Sequence, residues 1–125
     1  MRIEQIEGML AETSGWSVTF TDPAWEELIA MARSGVARQV VAAMVKVKRN
    51  PLPKQEGGYG NPCHDEEGAE LAGCCYIKLR DAGVRIIYLL EKDEVKVLKV
   101  LAVGKREDKE VYREAARRLR QYRED

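Results

Sequence analysis

A group of basic and aromatic side chains in the second half of this sequence has the chemistry needed to hold a phosphate group. Tyr76, Lys78 and Arg80 occupy alternate positions, so on a β-strand their side chains share one face. Arg85 follows a short turn and can return to the same face. Two more cations and a second phenol come after the next apolar run, namely Lys105, Arg106 and Tyr112.

The convergence of several cations, with no acidic residue on the same strand, predicts an anion-binding face. Two like charges about 4 Å apart repel each other by roughly 1 kcal/mol in water, and by more where water is excluded. A bound anion would offset that cost, and phosphate is the obvious candidate. The alternative is that these residues form only the ordinary polar face of an antiparallel sheet.

A second basic region lies between residues 34 and 55, where every charged side chain is positive. Lys46, Lys48 and Arg49 belong to it, whereas most of the charged residues among residues 1–27 are acidic. The formal net charge is zero, but phosphate binding depends on the local potential rather than on the total charge. We therefore expect these three residues to contact a nucleic acid, although a solvated helix surface would show the same pattern.

The spacing of apolar residues predicts the elements that position these side chains. It indicates an amphipathic helix over residues 2–12, a half-buried strand over 16–20 and a helix that begins at Asp22. Asp22 is expected to cap the free N–H groups of that helix, with Pro23 at its first position. A further helix ends near residue 50, so the two helices form a hairpin.

From residue 75 onward apolar residues recur at every second position. This pattern predicts a three-stranded meander with turns at 81–83 and 91–94. A helix over 108–123 closes the chain. The fold class is therefore α+β, with an antiparallel sheet made of the N-terminal strand and the meander. We expect a helical hairpin on one face of the sheet, a C-terminal helix and an extra N-terminal helix. The other face, which carries the cations, is expected to be exposed.

The 125 residues are the usual size of one domain, with 1–15 as a helical extension and 51–73 as a surface loop. The sequence has no apolar run that could cross a bilayer, and its charged start does not resemble a signal peptide. We therefore expect a cytoplasmic protein with reduced cysteines. His64 and Cys63 match no standard zinc-ligand spacing. No metal, small-molecule cofactor or membrane contact is predicted.

Two segments of the sequence resemble the signature segments of the RelE/ParE toxin superfamily. They are KLRDAGVRIIY at residues 78–88 and VGKREDKEVY at residues 103–112, and the order of elements from Ser17 onward agrees as well. The resemblance implies a RelE-like toxin of a type II toxin–antitoxin system. Such a toxin enters the ribosomal A site, next to 16S rRNA, cuts messenger RNA without a metal and so inhibits translation. It also implies an acidic, partly disordered antitoxin as partner.

The resemblance assigns catalytic roles to Lys78, Arg85, Arg106 and Tyr112, while the neighbouring 2′-hydroxyl of the RNA is the attacking group. Arg85 would hold the scissile phosphate, because a guanidinium can bind two phosphate oxygens at once. Arg106 would neutralise or protonate the leaving oxygen, and Tyr112 would stack on a base and orient the nucleophile. Lys78 would add positive charge in the transition state. RNA-binding roles are expected for Tyr76, Arg80, Lys105, Lys46, Lys48 and Arg49.

Tyr76 departs from the family pattern, because it stands where RelE has a second strand lysine that acts as the general base. A phenol is almost fully protonated at neutral pH and is a poor base. Tyr76 can instead serve as a stacking platform for a base. Two alternatives to an endoribonuclease therefore stay open: a ParE-like inhibitor of DNA gyrase, and a catalytically inactive member that binds RNA or antitoxin.

Overall fold

The computed structural model describes residues 1–12, 14–63, 71–91, 97–105 and 110–124, in which a five-stranded sheet has helices on both faces. None of the helices in these residues has the length and hydropathy that crossing a membrane requires. In chain order the elements are α1 (Ile3–Glu12), β1 (Ser17–Phe20), α2 (Asp22–Ala30), α3 (Gly35–Val47), a 3-10 turn (Lys54–Glu56), β2 (Asn61–Pro62), β3 (Cys74–Leu79), β4 (Val84–Glu91), β5 (Val97–Lys105) and α4 (Glu110–Glu124).

The sheet confirms the predicted α+β class and the antiparallel meander of β3, β4 and β5. The strand order is β1-β5-β4-β3-β2. The prediction of a wholly antiparallel sheet is wrong at one pair, because β1 runs parallel to β5 from Ser17 opposite Val97 to Phe20 opposite Val100. Apolar alternation identifies a strand but not the direction in which it pairs. The direction of β1 relative to β5 depends instead on the long connection between them, which runs through α2, α3 and the strands β3 and β4.

Both faces of the sheet are covered, and each carries its own apolar core. Helices α1, α2 and α3 pack on one face, where Ile86 and Tyr88 are fully buried. Helix α4 packs on the other face, against Ile87 and Ala102. The expectation that this second face is exposed is therefore wrong over the part that α4 covers. The reason lies in the apolar stripe of α4, which is buried only when the helix lies on the sheet.

The N-cap of helix α2 lies one residue before the predicted one. The Oγ1 atom of Thr21 accepts a hydrogen bond from the backbone N–H of Ala24 at 3.2 Å, so Thr21 rather than Asp22 is the N-cap residue. Pro23 lies in the first turn, as predicted. Because Thr21 also follows β1 directly, the cap fixes the angle at which the chain leaves the sheet.

The first part of the predicted surface loop is built into the fold. The buried Tyr88 hydroxyl donates a hydrogen bond to the Pro51 carbonyl at 2.7 Å, and the Lys54 N–H donates to the Gly60 carbonyl at 2.8 Å. A Cβ atom on Gly60 would collide with the Tyr88 hydroxyl and the Pro51 carbonyl. Residues 51–63 therefore form a fixed segment along the edge of β3, where β2 pairs with it.

Arg118 anchors α4 to the rest of the fold. Its guanidinium donates to the Glu27 carboxylate on α2 at 2.6 Å and to the Leu101 carbonyl on β5 at 2.9 Å. The same carboxylate accepts the backbone N–H of Val103 at 3.2 Å. One buried arginine in the third turn of α4 thus joins α4, α2 and β5.

We expect Arg118→Ala to lower the free energy of unfolding by about 2–3 kcal/mol, because charge-assisted hydrogen bonds to Glu27 and Leu101 are lost and their acceptors stay partly buried. Urea denaturation monitored by circular dichroism measures the change. Arg117→Ala is the matched control, since Arg117 pairs with Glu114 on the exposed side of the same helix. Equal effects of the two substitutions would contradict the assigned anchor.

Candidate functional site

The predicted convergence on one sheet face centres on the guanidinium of Arg85. Arg85 on β4 lies opposite Lys78 on β3, so the two side chains share a face. The guanidinium carbon lies 5.0 Å from the ring centre of Tyr76 and 5.8 Å from that of Tyr112. The two rings meet edge to face at 6.0 Å. Lys78, Arg85 and Tyr112 are therefore gathered as the sequence predicts, with Tyr76 as a fourth member.

Gly104 lies under the first turn of α4. It is the register partner of Arg85 on β5, and a Cβ atom built there would be in ordinary van der Waals contact with the Val111 side chain at 3.4 Å. The first turn of α4 therefore packs on the sheet at the level of Arg85, and Tyr112 follows Val111 directly.

Arg85 carries a positive charge that no described carboxylate neutralises. Its Nε atom is buried and lacks a hydrogen-bond partner, and Arg85 forms no ion pair within the described part of the chain. An unsatisfied buried donor costs about 1–3 kcal/mol, and contact with two aromatic rings offsets part of that cost. A phosphate would supply the missing acceptors. The geometry therefore favours binding of an anion at Arg85.

Tyr112 is placed differently from its expected role. Its side chain is 5% exposed and packs in the core beneath α4, so its ring face is not open to a base in this conformation. The prediction that Tyr112 stacks on RNA is wrong for the conformation described, because the apolar stripe of α4 places the ring against the sheet. Tyr112 instead helps to fix Arg85.

Two predicted site residues lie outside what the structure describes. Arg106 falls within residues 106–109, and the Lys105 side chain is likewise outside the described residues although its backbone ends β5. His64, the residue considered as a zinc ligand, also lies outside the described residues, within 64–70. Their predicted roles stay predictions.

The predicted RNA-binding residues of α3 divide into two kinds. Lys46 is exposed and lines a groove together with Lys78 and Arg80, and Arg49 is exposed just beyond the end of α3. Lys48 is only 3% exposed, and burial lowers the pKa of its ammonium group. The prediction that Lys48 contacts RNA is wrong, because Lys48, the C-cap residue of α3, is enclosed beside α1 and Trp16.

Two features of the molecule escaped the sequence analysis. The Arg118 anchor joins residues 91 positions apart, and no local pattern signals such a pair. Tyr59 is the other feature: it is 46% exposed and lies under the Lys46 ammonium group. A signal for Tyr59 does exist in the sequence, because an aromatic residue between glycines, in Gly57-Gly58-Tyr59-Gly60, is typical of an exposed ring on a tight turn.

The buried cysteines offer no nucleophile. Burial raises the pKa of the Cys74 thiol to about 12, which keeps it protonated at neutral pH. Cys75 is 1% exposed and packs in the core, as predicted for a small hydrophobic residue.

Comparison with known proteins gives one consistent answer. The mRNA interferase toxin RelE of Escherichia coli strain K12 is 50% identical over 86 residues, which cover 69% of this chain and 79% of that protein. The mRNA interferase RelE of Shigella flexneri matches to the same extent. A solved structure of a variant E. coli RelE in the free state aligns with a TM-score of 0.60 and 31% identity, over 85% of this chain and 99% of that one.

The intact E. coli RelBE toxin–antitoxin complex is also similar, with a TM-score of 0.58 and 29% identity over 75% of this chain and 99% of that one. No family model matches the chain.

A simple phosphodiester should bind at Arg85. We expect titration with dimethyl phosphate to shift the Nε–Hε resonance of Arg85 in NMR spectra, since this buried donor exchanges slowly with water and has no partner of its own. Arg117 is the internal control, because its Nε already donates to Glu114 at 3.3 Å. Shifts of equal size at both arginines, or none at Arg85, would contradict the site.

Proposed function

We propose, because this chain belongs to the RelE family of toxins, that it is the toxin of a type II toxin–antitoxin system and cuts messenger RNA as an endoribonuclease. The observation that carries the proposal is the Arg85 guanidinium, held by two aromatic rings beside Lys78 with no described carboxylate paired to it. A phosphodiester is an anion that such a site would bind, and it is also the group on which an mRNA interferase acts.

The proposed reaction is attack by the 2′-hydroxyl of the RNA on the adjacent phosphate. The 2′-hydroxyl gives its proton to a water molecule as the 2′ oxygen bonds to phosphorus, and the 5′ oxygen takes up a proton as its own bond to phosphorus breaks. The products are a 2′,3′-cyclic phosphate and a free 5′-hydroxyl. Because the RNA supplies its own nucleophile, the protein needs only to orient the phosphate, move protons and stabilise the extra negative charge.

Each site residue has a role in this proposal. Arg85 binds two non-bridging oxygens of the scissile phosphate, and Lys78 adds charge from the neighbouring strand. Arg106 neutralises or protonates the leaving 5′ oxygen. Tyr112 holds Arg85 from below rather than stacking on a base. Tyr76 also positions Arg85, since its ring lies 5.0 Å from the guanidinium, and the proposal needs no proton transfer to its hydroxyl.

Partners follow from the relatives. Solved structures of E. coli RelE with the antitoxin RelB are similar to this chain, and we propose an antitoxin of the same kind here. We further propose that the substrate is messenger RNA in the ribosomal A site, beside 16S rRNA, and that the protein acts in the cytoplasm.

Replacing Arg85 should abolish cleavage without unfolding the protein. We expect Arg85→Ala to lower the rate of mRNA cleavage on ribosomes by two to three orders of magnitude, because one preorganised charge contact to the transition state is lost. Mapping of 5′ ends in a translation extract measures the rate. Arg33→Ala is the control, since Arg33 is an exposed cation in the turn before α3. Full activity of Arg85→Ala would contradict the proposal.

Expression of the chain in cells, with mapping of messenger cuts and of DNA damage, separates the alternatives. Cleavage in phase with codons supports the RNase. DNA damage that depends on gyrase would favour the ParE-like alternative and contradict the RNase, and growth without either effect would indicate an inactive binding protein.

Substitution of Tyr76 tests whether its ring or its hydroxyl matters. We expect Tyr76→Phe to retain cleavage within a few-fold, because the ring face over Arg85 is preserved. Tyr76→Leu removes the ring and should lower the rate by about 10-fold or more. A large loss in Tyr76→Phe would show that the hydroxyl takes part in proton transfer and would contradict a positioning role.

A further inference from the structure

A groove opens on the side of the sheet edge away from α4, next to the Arg85 site. It lies between α3, the fixed segment 51–63 and the edge of β3, and its volume is about 380 Å³. That volume is within the range of about 300–1,000 Å³ for small-molecule pockets. The residues that line it are Ala43, Lys46, Val47, Lys54, Tyr59, Asn61, Ile77, Lys78, Leu79 and Arg80.

The groove carries an aromatic platform with a cation on it. Tyr59 is 46% exposed, and the other large exposed hydrophobic residues of the described chain, Ile3 and Met9, are aliphatic. The Lys46 Nζ atom lies 5.3 Å from the centre of the Tyr59 ring. Lys46 lies over the Tyr59 ring, and nearly half of the residue is open to solvent, which leaves ring surface for a flat ligand.

The backbone around Tyr59 is fixed. The Tyr59 N–H donates to the Asn50 carbonyl at 2.9 Å, and the Gly60 N–H donates to the Leu52 carbonyl at 2.9 Å. A Cβ atom on Gly58 would collide with the Leu52 backbone, so the flanking glycine is required for this close packing. A platform held in this way loses little conformational entropy when a ligand stacks on it.

The charge of the groove is of one sign. Lys46, Lys54, Lys78 and Arg80 line it, and no carboxylate is among the described residues that do so. Lys78 also lies opposite Arg85 in the sheet, so it belongs to both places. A chain of phosphates could therefore pass from Arg85 along Lys78 into the groove without meeting a described negative charge.

We propose that this groove binds single-stranded RNA next to the scissile phosphate, with one base stacked on Tyr59. The four cations then hold the neighbouring phosphates. An aromatic face combined with cations is the combination that binds single-stranded nucleic acid without strong sequence preference, whereas an acidic peptide would need the cations but not an exposed ring. The inference rests on the proposed function, and it adds a base-binding site that the cluster around Arg85 does not provide.

Binding of a labelled oligonucleotide tests the platform. The probe is a fluorescein-labelled single-stranded RNA of nine nucleotides with 2′-O-methyl groups, which prevent attack, and fluorescence anisotropy with the full chain gives the Kd. We expect Tyr59→Ala to weaken binding about 10-fold or more, and Tyr59→Phe to retain most of the affinity because the ring remains. Ile3→Ala is the matched control, since Ile3 is similarly exposed but is not part of the groove lining.

The salt dependence of the same binding tests the cations. We expect Lys54→Gln to reduce the slope of log K against log salt concentration by about 0.7, the value for one phosphate contact on a single strand. Arg33→Gln removes an exposed charge that is not part of the groove and should leave the slope unchanged. An unchanged slope in Lys54→Gln would contradict the proposed path of the phosphates.

Failure of this inference can be told apart from failure of the proposed function. If Arg85→Ala abolishes mRNA cleavage while Tyr59→Ala binds RNA like the parent, the groove proposal is overturned and the RNase stands. If the chain never cuts RNA but Tyr59→Ala still weakens binding, the groove proposal stands as an RNA-binding site. Loss of antitoxin binding in Tyr59→Ala, with RNA binding intact, would overturn it in favour of a protein partner.

Discussion

The contact between the Arg85 guanidinium and the rings of Tyr76 and Tyr112 is the interaction on which the rest of the site depends. A free arginine side chain samples many rotamers, and two rings at a fixed angle restrict it without neutralising its charge. A carboxylate would hold the guanidinium equally well, but it would also occupy the position where the oxygens of a phosphate would bind. The aromatic pair therefore keeps the arginine both positioned and available to an anion.

This arrangement exists only if α4 lies close to the sheet. Val111 in the first turn of α4 packs over Gly104 of β5, and Arg118 secures the helix through Glu27 and the Leu101 carbonyl. The anchor is charged and partly buried, so it is sensitive to loss of either partner. Stability of the fold and geometry of the site are thus linked through one helix.

The segment 51–63 extends the basic surface beyond the Arg85 site. The pairing of β2 with β3 sets this segment along the edge of the sheet, where Lys54 and Tyr59 join Lys46, Lys78 and Arg80 in lining the groove. Lys78 also lies opposite Arg85 in the sheet. The positive potential that attracts a polyanion therefore comes from both places.

The sequence alone determined the local features: helices and strands followed from apolar period, and Lys78 and Arg85 could be placed on one face because alternation on paired strands is strict. The signature segments then identified the family. Tertiary structure decided the parallel pairing of β1, the burial of Lys48 and Tyr112, and the groove at Tyr59. These depend on which face of a helix meets the sheet and on contacts between residues far apart in the chain, and a local period carries no information about either.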